Sequence, residues 1–167
     1  DLETLPKPKS YLKLYYPATT YKKLTTNCPF SMEISEKAIV KIEENCWLSI
    51  DYPSMNAKIH LTYRKIDNNL IEILREIDKL TFEHTVKADV IPDARPYENF
   101  KERVFAKLYN IEGNVATNVQ FRATDSVNHV LAGSLYFYVK PNYDSILPAV
   151  KYIEKDIIHL VETLKWK

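Results

Sequence analysis

The sequence predicts an α+β fold, a twisted antiparallel β-sheet covered by two amphipathic helices, and three observations carry that reading. Apolar and polar residues alternate from Ala57 to Lys65, the period of a strand with one buried and one wet face. Apolar residues recur at three- and four-residue steps from Leu70 and again from Ile146, the period of a helix buried along one stripe. The strand-like runs that follow residue 100 are joined by connections too short for a parallel crossover, so they pair as antiparallel neighbours.

At 167 residues the chain has the size of one domain, and folding buries roughly two-thirds of the surface that the unfolded chain exposes. Residues 1 to 27 stand apart as an N-terminal tether and docking segment: Pro6 and Pro8 favour an extended spacer, and Tyr11, Leu12, Leu14, Tyr15 and Tyr16 offer apolar anchors. Residues 28 to 167 form the single α+β domain.

Within that domain, Phe30, Met32 and Ile34 alternate, as do Val40 and Ile42, and the polar Glu36 and Lys37 between them predict a hairpin. Leu48, Ile50 and Tyr52 share one face of a third strand that Pro53 and Ser54 end. Beyond the Ala57 to Lys65 strand, a helix from Asn68 to about Lys87 turns Leu70, Ile73, Leu74, Ile77, Leu80 and His84 inward. Residues 89 to 101, with Pro92 and Pro96, read as a surface loop with its tip near Arg95.

Strands are then predicted at Val104 to Ile111, Val115 to Thr124 and His129 to Lys140, the last covered on both faces where Leu131 to Val139 is apolar or aromatic. A final helix begins near Asp144 or Ser145, carries Pro148 in its first turn and buries Ile146, Val150, Ile153, Ile157, Val161 and Leu164. The layout is comparable with that of the photosystem oxygen-evolving and nuclear-transport cofactor superfamily, an analogy of topology alone.

Composition removes several function classes. Lys and Arg total 23 against 22 Asp and Glu, interspersed, for a net charge of +1; nucleic-acid binding calls for a basic stripe, and none is present. Apolar runs such as Val130 to Gly133 fall far short of the about 20 residues that cross a bilayer. With only Gly113 and Gly133, no glycine-rich phosphate cradle can form, and no cofactor is expected.

Cys28 and Cys46 flank the predicted hairpin about Lys37, which would set them opposite each other at the spacing a disulfide accepts. The alternative is a pair of unpaired core thiols in a reducing cytosol; the placement favours the bridge. Neither CxxC nor HxxxH spacing accompanies them, so no metal site is expected. His60, His84, His129 and His159 are scattered over separate elements, and a tight turn accounts for Ser126 beside His129 better than a nucleophile and base do. No catalytic residue is assigned and no enzymatic activity is expected. Glu72 with Glu76, and Lys151 with Lys155, read as solvated helix faces.

The stretch from Asn114 to Ser126 is the richest in hydrogen-bonding groups. Asn118, Gln120, Arg122 and Asp125, with Tyr136, Tyr138 and Tyr143 beside them, are the candidate partner-binding face, and an ordinary solvated sheet face is the competing reading. A further alternative is a small-ligand pocket between the sheet and the helix from Asn68 to Lys87, gated by the Pro92 to Pro96 loop.

Several strings occur together in order: Pro6-Lys7-Pro8 with Tyr11 to Leu14, Asn27-Cys28-Pro29-Phe30, Ala116-Thr117-Asn118, Ala123 to Ser126, Ser134 to Tyr138, Pro141 to Ser145, and Glu162 to Lys167. In that order they resemble the gliding-motility lipoprotein GldD family over essentially the whole chain. The resemblance implies export, lipidation on a Cys just upstream of Asp1, a periplasm-facing location at the inner or outer membrane, and a role in gliding motility and type IX secretion. It also implies association with other motility and secretion lipoproteins, GldJ first among them. It brings no catalytic residues. A tether at the proline-containing N-terminus and a disulfide in an oxidising periplasm both agree with it.

Overall fold

The computed structural model describes residues 16, 18–85, 93–139 and 142–167. The proline spacer, the anchors from Tyr11 to Tyr15, Pro92 and the side chain of His84 lie outside the described residues.

Ten strands and two α-helices follow one another in the described residues: β1 (Tyr21–Leu24), β2 (Phe30–Ser35), β3 (Ile39–Ile42), β4 (Leu48–Tyr52), β5 (Ala57–Lys65), α1 (Leu70–Thr85), β6 (Asp93–Asn99), β7 (Val104–Asn110), β8 (Val119–Thr124), β9 (His129–Phe137), α2 (Tyr143–Thr163) and β10 (Lys165–Trp166). The main sheet runs β3-β4-β5-β9-β8-β7-β6 and a second, smaller sheet runs β1-β2-β10. All pairings are antiparallel.

Register divides the main sheet into two faces. Leu61 lies opposite Leu48 and Gly133, Gly133 opposite Phe121, and Phe121 opposite Leu108, so these side chains share one face. Over that face lie α2 and β2. Ile146, Val150, Ile153, Ile157, Val161 and Leu164 are all buried, as the helical period predicts, and they meet Phe30, Met32 and Ile34 of β2 in one core. Burying such aliphatic side chains contributes about 1.5–3 kcal/mol each. The opposite face carries Lys58, His60, Thr62 and Arg64 of β5 and, on neighbouring strands, Gln120 and Arg122.

α1 covers part of that second face through polar contacts. Thr81 Oγ1 donates to Gln120 Oε1 at 3.1 Å, Asp78 pairs with Arg122 at 3.1 Å, and Glu76 pairs with Arg64. Ile73 is fully buried, whereas Leu80, expected inward, is 56% exposed. The helical stripe is therefore real but seated on a hydrophilic surface, which leaves its flanks wet.

The structure corrects three further expectations. β2 and β3 do not form a hairpin: β2 pairs with β1 and β10, and β3 pairs with β4. Both edges of β2 are already bonded, since Glu36 N donates to Thr20 O on one side, Lys167 N to Pro29 O on the other, and Glu33 N to Thr163 Oγ1. Residues 93–99 are strand β6 and not loop; β6 is an edge strand, where the missing N–H of Pro96 breaks no necessary ladder bond. The outer face of β9 is only half covered, with Ala132, Ser134 and Tyr136 half-buried. Within the segment read as tether and docking, Tyr21–Leu24 is a strand.

Cys28 and Cys46 do form the disulfide, with a Cα–Cα distance of 5.6 Å. Since β2 and β3 are not paired, the bridge has another geometry from the one expected. It ties Cys28, two residues before β2, to the tight turn between β3 and β4, and so joins the small sheet to the large one.

Candidate functional site

Asp156 is a deeply buried carboxyl that the sequence reading passed over. The period of α2 sets it between Ile153 and Ile157 on the inward stripe, and it is 2% exposed. Tyr21 Oη of β1 donates to its Oδ1 and Tyr52 Oη of β4 to its Oδ2, each at 2.9 Å. Around this knot Thr19 Oγ1 donates to Tyr152 Oη at 3.2 Å, and His159 stacks on Tyr21 with centroids 3.7 Å apart. The His159 ring also meets Glu33 Oε1 at 3.1 Å.

The electrostatics match a clamp. Burial pushes the Asp156 carboxyl above its ordinary range, an effect that the two phenols only partly offset. Burial, followed by the hydrogen bond to and the charge of Asp156, pushes the Tyr21 phenol up to about 12, and burial and Asp156 raise Tyr52 also. Both phenols therefore stay protonated at neutral pH and serve as donors. The knot fastens β1, β4 and α2 together. A polar residue on the apolar stripe of α2 was the signal available in the sequence.

Most of the residues predicted to bind a partner are occupied within the fold. Asn118 Nδ2 donates to the carbonyls of Ile111 and Gly113 at 2.8 and 3.0 Å and closes the β7–β8 connection. Gln120 and Arg122 lie under α1. Asp125 Oδ1 accepts the backbone N–H groups of Val127, Asn128 and His129 at 2.8–3.0 Å. Burial alone would raise its carboxyl, but these donors outweigh burial and hold it below its ordinary range. Tyr143 lies at the start of α2, its N–H donating to Asn114 Oδ1 at 2.7 Å.

Tyr136 and Tyr138 belong to a different, more open area. Cross-strand register sets Ile39, Asp51, Lys58 and Tyr136 in one row and Lys41, Ser49, His60 and Ser134 in the next. These rows lie on the face that α1 shares, toward the β3 edge. Tyr138 is 60% exposed and Ile39 53% exposed. Tyr138 Oη donates to Asp51 Oδ1 at 3.3 Å, Lys58 Nζ stands 5.5 Å from its ring centroid, and Lys41 pairs with Asp51 at 3.5 Å. Trp47 lies edge-on to His60 with centroids 6.2 Å apart. Aromatic rings with half-satisfied charges at a sheet margin make a surface suited to protein contact.

Three clefts lie away from this margin. One of about 190 Å³ lies between α2 and β6–β7, beside Tyr97, Leu108 and Ile158. Another of about 550 Å³ lies by the first half of α2, beside Tyr52, Met55, Phe137 and Tyr152. Both are on the α2 side of the sheet, and a third of about 890 Å³, open and mostly polar, borders the start of α1 at Leu70, Glu72 and Arg75 and the β8–β9 turn, beside the helix where the ligand pocket was expected. Among the described residues no group of His, Cys, Asp and Glu is arranged to hold a metal ion, and no helix is long and apolar enough to cross a membrane.

The fold and this margin define an α+β domain held together by a disulfide and a buried acid–phenol knot, with Trp47 and Tyr138 exposed toward the β3 edge of the sheet. The chain belongs to the gliding motility lipoprotein GldD family, whose model matches residues 1–166. A search of the curated proteins finds no match. Membership carries a place in gliding motility and a lipid-anchored location in the cell envelope.

Proposed function

We propose that this domain is an accessory part of the gliding motility apparatus that acts by holding other proteins and has no catalysis of its own. The observation that carries the reading is the family match over residues 1–166. The open margin around Ile39, Trp47, Tyr136 and Tyr138 supplies the contact surface. On this reading the lipid keeps the domain at the periplasmic side of a membrane, its partners are other motility and type IX secretion lipoproteins, GldJ the first to test, and secretion fails with gliding when the contact is lost.

In-cell crosslinking of the lipidated protein followed by mass spectrometry tests this. Adducts with motility or secretion components are expected. Crosslinks to none of them, from cells that glide normally, would remove the proposal. Small-ligand binding in the 550 Å³ cleft is the second reading, favoured by its tyrosine and aliphatic lining, and a ligand retained through native purification would favour it.

A further inference from the structure

β3 is an edge of the main sheet, and among the described residues no strand pairs with it on the side away from β4. Glu43 N donates to Trp47 O at 2.8 Å, so this opposed pair is of the hydrogen-bonded class. Alternation then places Lys41 with Ser49 and Ile39 with Asp51 in that class and turns the backbone groups of Val40 and Ile42 outward.

The two ends of the main sheet differ. On β6, Pro96 has no N–H, and the charged Glu98 stands near it, the usual protection of an edge against further pairing. On β3, Ile39 and Ile42 are 53% and 55% exposed. Lys41 would guard the edge, but Asp51 of its own sheet draws its ammonium back at 3.5 Å.

We propose that β3 pairs antiparallel with β3 of a second copy of this chain, about a two-fold axis at Val40. The argument for a second copy is self-complementarity. With Val40 opposite Val40 of the partner copy, the outward N–H and C=O of each meet the other. Ile42 N–H then meets the Ala38 carbonyl across the seam, Ile39 lies beside the stem of Lys41, and the exposed Lys37 faces the exposed Glu43 twice, once at each end. Registers that keep the outward backbone groups opposed differ by two residues, and either such shift loses both charge pairs and sets Lys41 against Lys41 or Lys37 against Lys41. Ala38 N–H is already given to Ser35 O at 3.2 Å, so the Ile42 carbonyl opposite it gains no bond, and the seam draws on groups that are unspent among the described residues. Such a seam is small, so the pairing is weak in solution and strengthens where a shared membrane concentrates the copies. This inference does not depend on the proposed function.

Sedimentation equilibrium of the chain over a concentration series tests it. A reversible monomer–dimer equilibrium is expected. Lys37→Glu and Glu43→Lys should each weaken it by about tenfold, since like charges then face each other twice, and the double swap should restore it. Val40→Pro removes an outward N–H that its own sheet does not use and should abolish the dimer with the fold retained by circular dichroism; if that variant fails to fold, the charge swap decides. A chain that stays monomeric throughout, a dimer indifferent to these changes, or a double swap that restores nothing would each overturn the pairing. So would β3 crosslinking only to a different protein.

Discussion

Asp156 on α2 and Tyr52 at the end of β4 are joined by a buried hydrogen bond of 2.9 Å that spans 104 positions of sequence. Asp156→Ala leaves the Tyr52 hydroxyl buried without an acceptor and should cost about 1–3 kcal/mol, measured by urea denaturation at neutral pH. Asp156→Asn should cost less, because an amide can accept one phenol proton and donate to the other phenol oxygen.

The same carboxyl sets a pH dependence. Its folded pKa lies above the ordinary 3.8, so the folded state holds the proton more tightly than the unfolded one. Its contribution to stability is therefore full below 3.8 and is lost as pH rises through the folded value. Asp156→Asn should flatten the stability profile in that window, and an unchanged profile would contradict the assignment.

Asp125 acts in the opposite direction. Its carboxyl is held below 3.8 by the backbone donors of the β8–β9 turn, so its contribution is present above that value and lost as pH falls through the folded one. Asp125→Ala should cost about 1–3 kcal/mol and reduce hydrogen-exchange protection at Val127 to His129. Unchanged protection there would mean that the turn stands without it.

The disulfide should be worth on the order of 3 kcal/mol by the loop-closure argument. Cys28→Ser with Cys46→Ser, or reduction of the natural chain, should lower the melting temperature by the same amount, and reduction should have no effect on the double variant. An unchanged melting curve would leave the bridge without a part in stability.

Gly133 lies at the centre of the main sheet, where an added Cβ would fall 2.2 Å from Phe121 Cε1 and 2.9 Å from Leu61 Cδ2. Gly133→Ala should destabilise by about 1–3 kcal/mol through overpacking. Adding Phe121→Leu should recover part of that loss; if the double variant is worse than the sum of the two, the clash lies elsewhere.

What the sequence disclosed depended on whether the cue was local. Alternation from Ala57 to Lys65 and the stripe from Ile146 to Leu164 are properties of one element against one core, and both were legible. The predicted β2–β3 hairpin failed because β2 is claimed by β1 and β10, strands far away in sequence or within a segment read as docking. β6 was hidden because Pro96 reads as a loop signal wherever it occurs and is compatible with a strand only at an edge. Gln120 and Arg122 were placed on a polar face, and they do lie on one, but no local pattern tells which part of that face α1 occupies. Asp156 sat in plain view on the α2 stripe, and its meaning came only from Tyr21 and Tyr52, on strands elsewhere in the chain.

The central claim is that the domain acts through its outer margin while its buried charge serves the fold. Gliding of a deletion strain complemented with Asp156→Asn or with Trp47→Asp, at matched protein levels, tests it most directly. The account predicts gliding with the first and loss of gliding with the second. Gliding with Trp47→Asp and none with a folded Asp156→Asn protein would place the function at the buried acid and contradict the account.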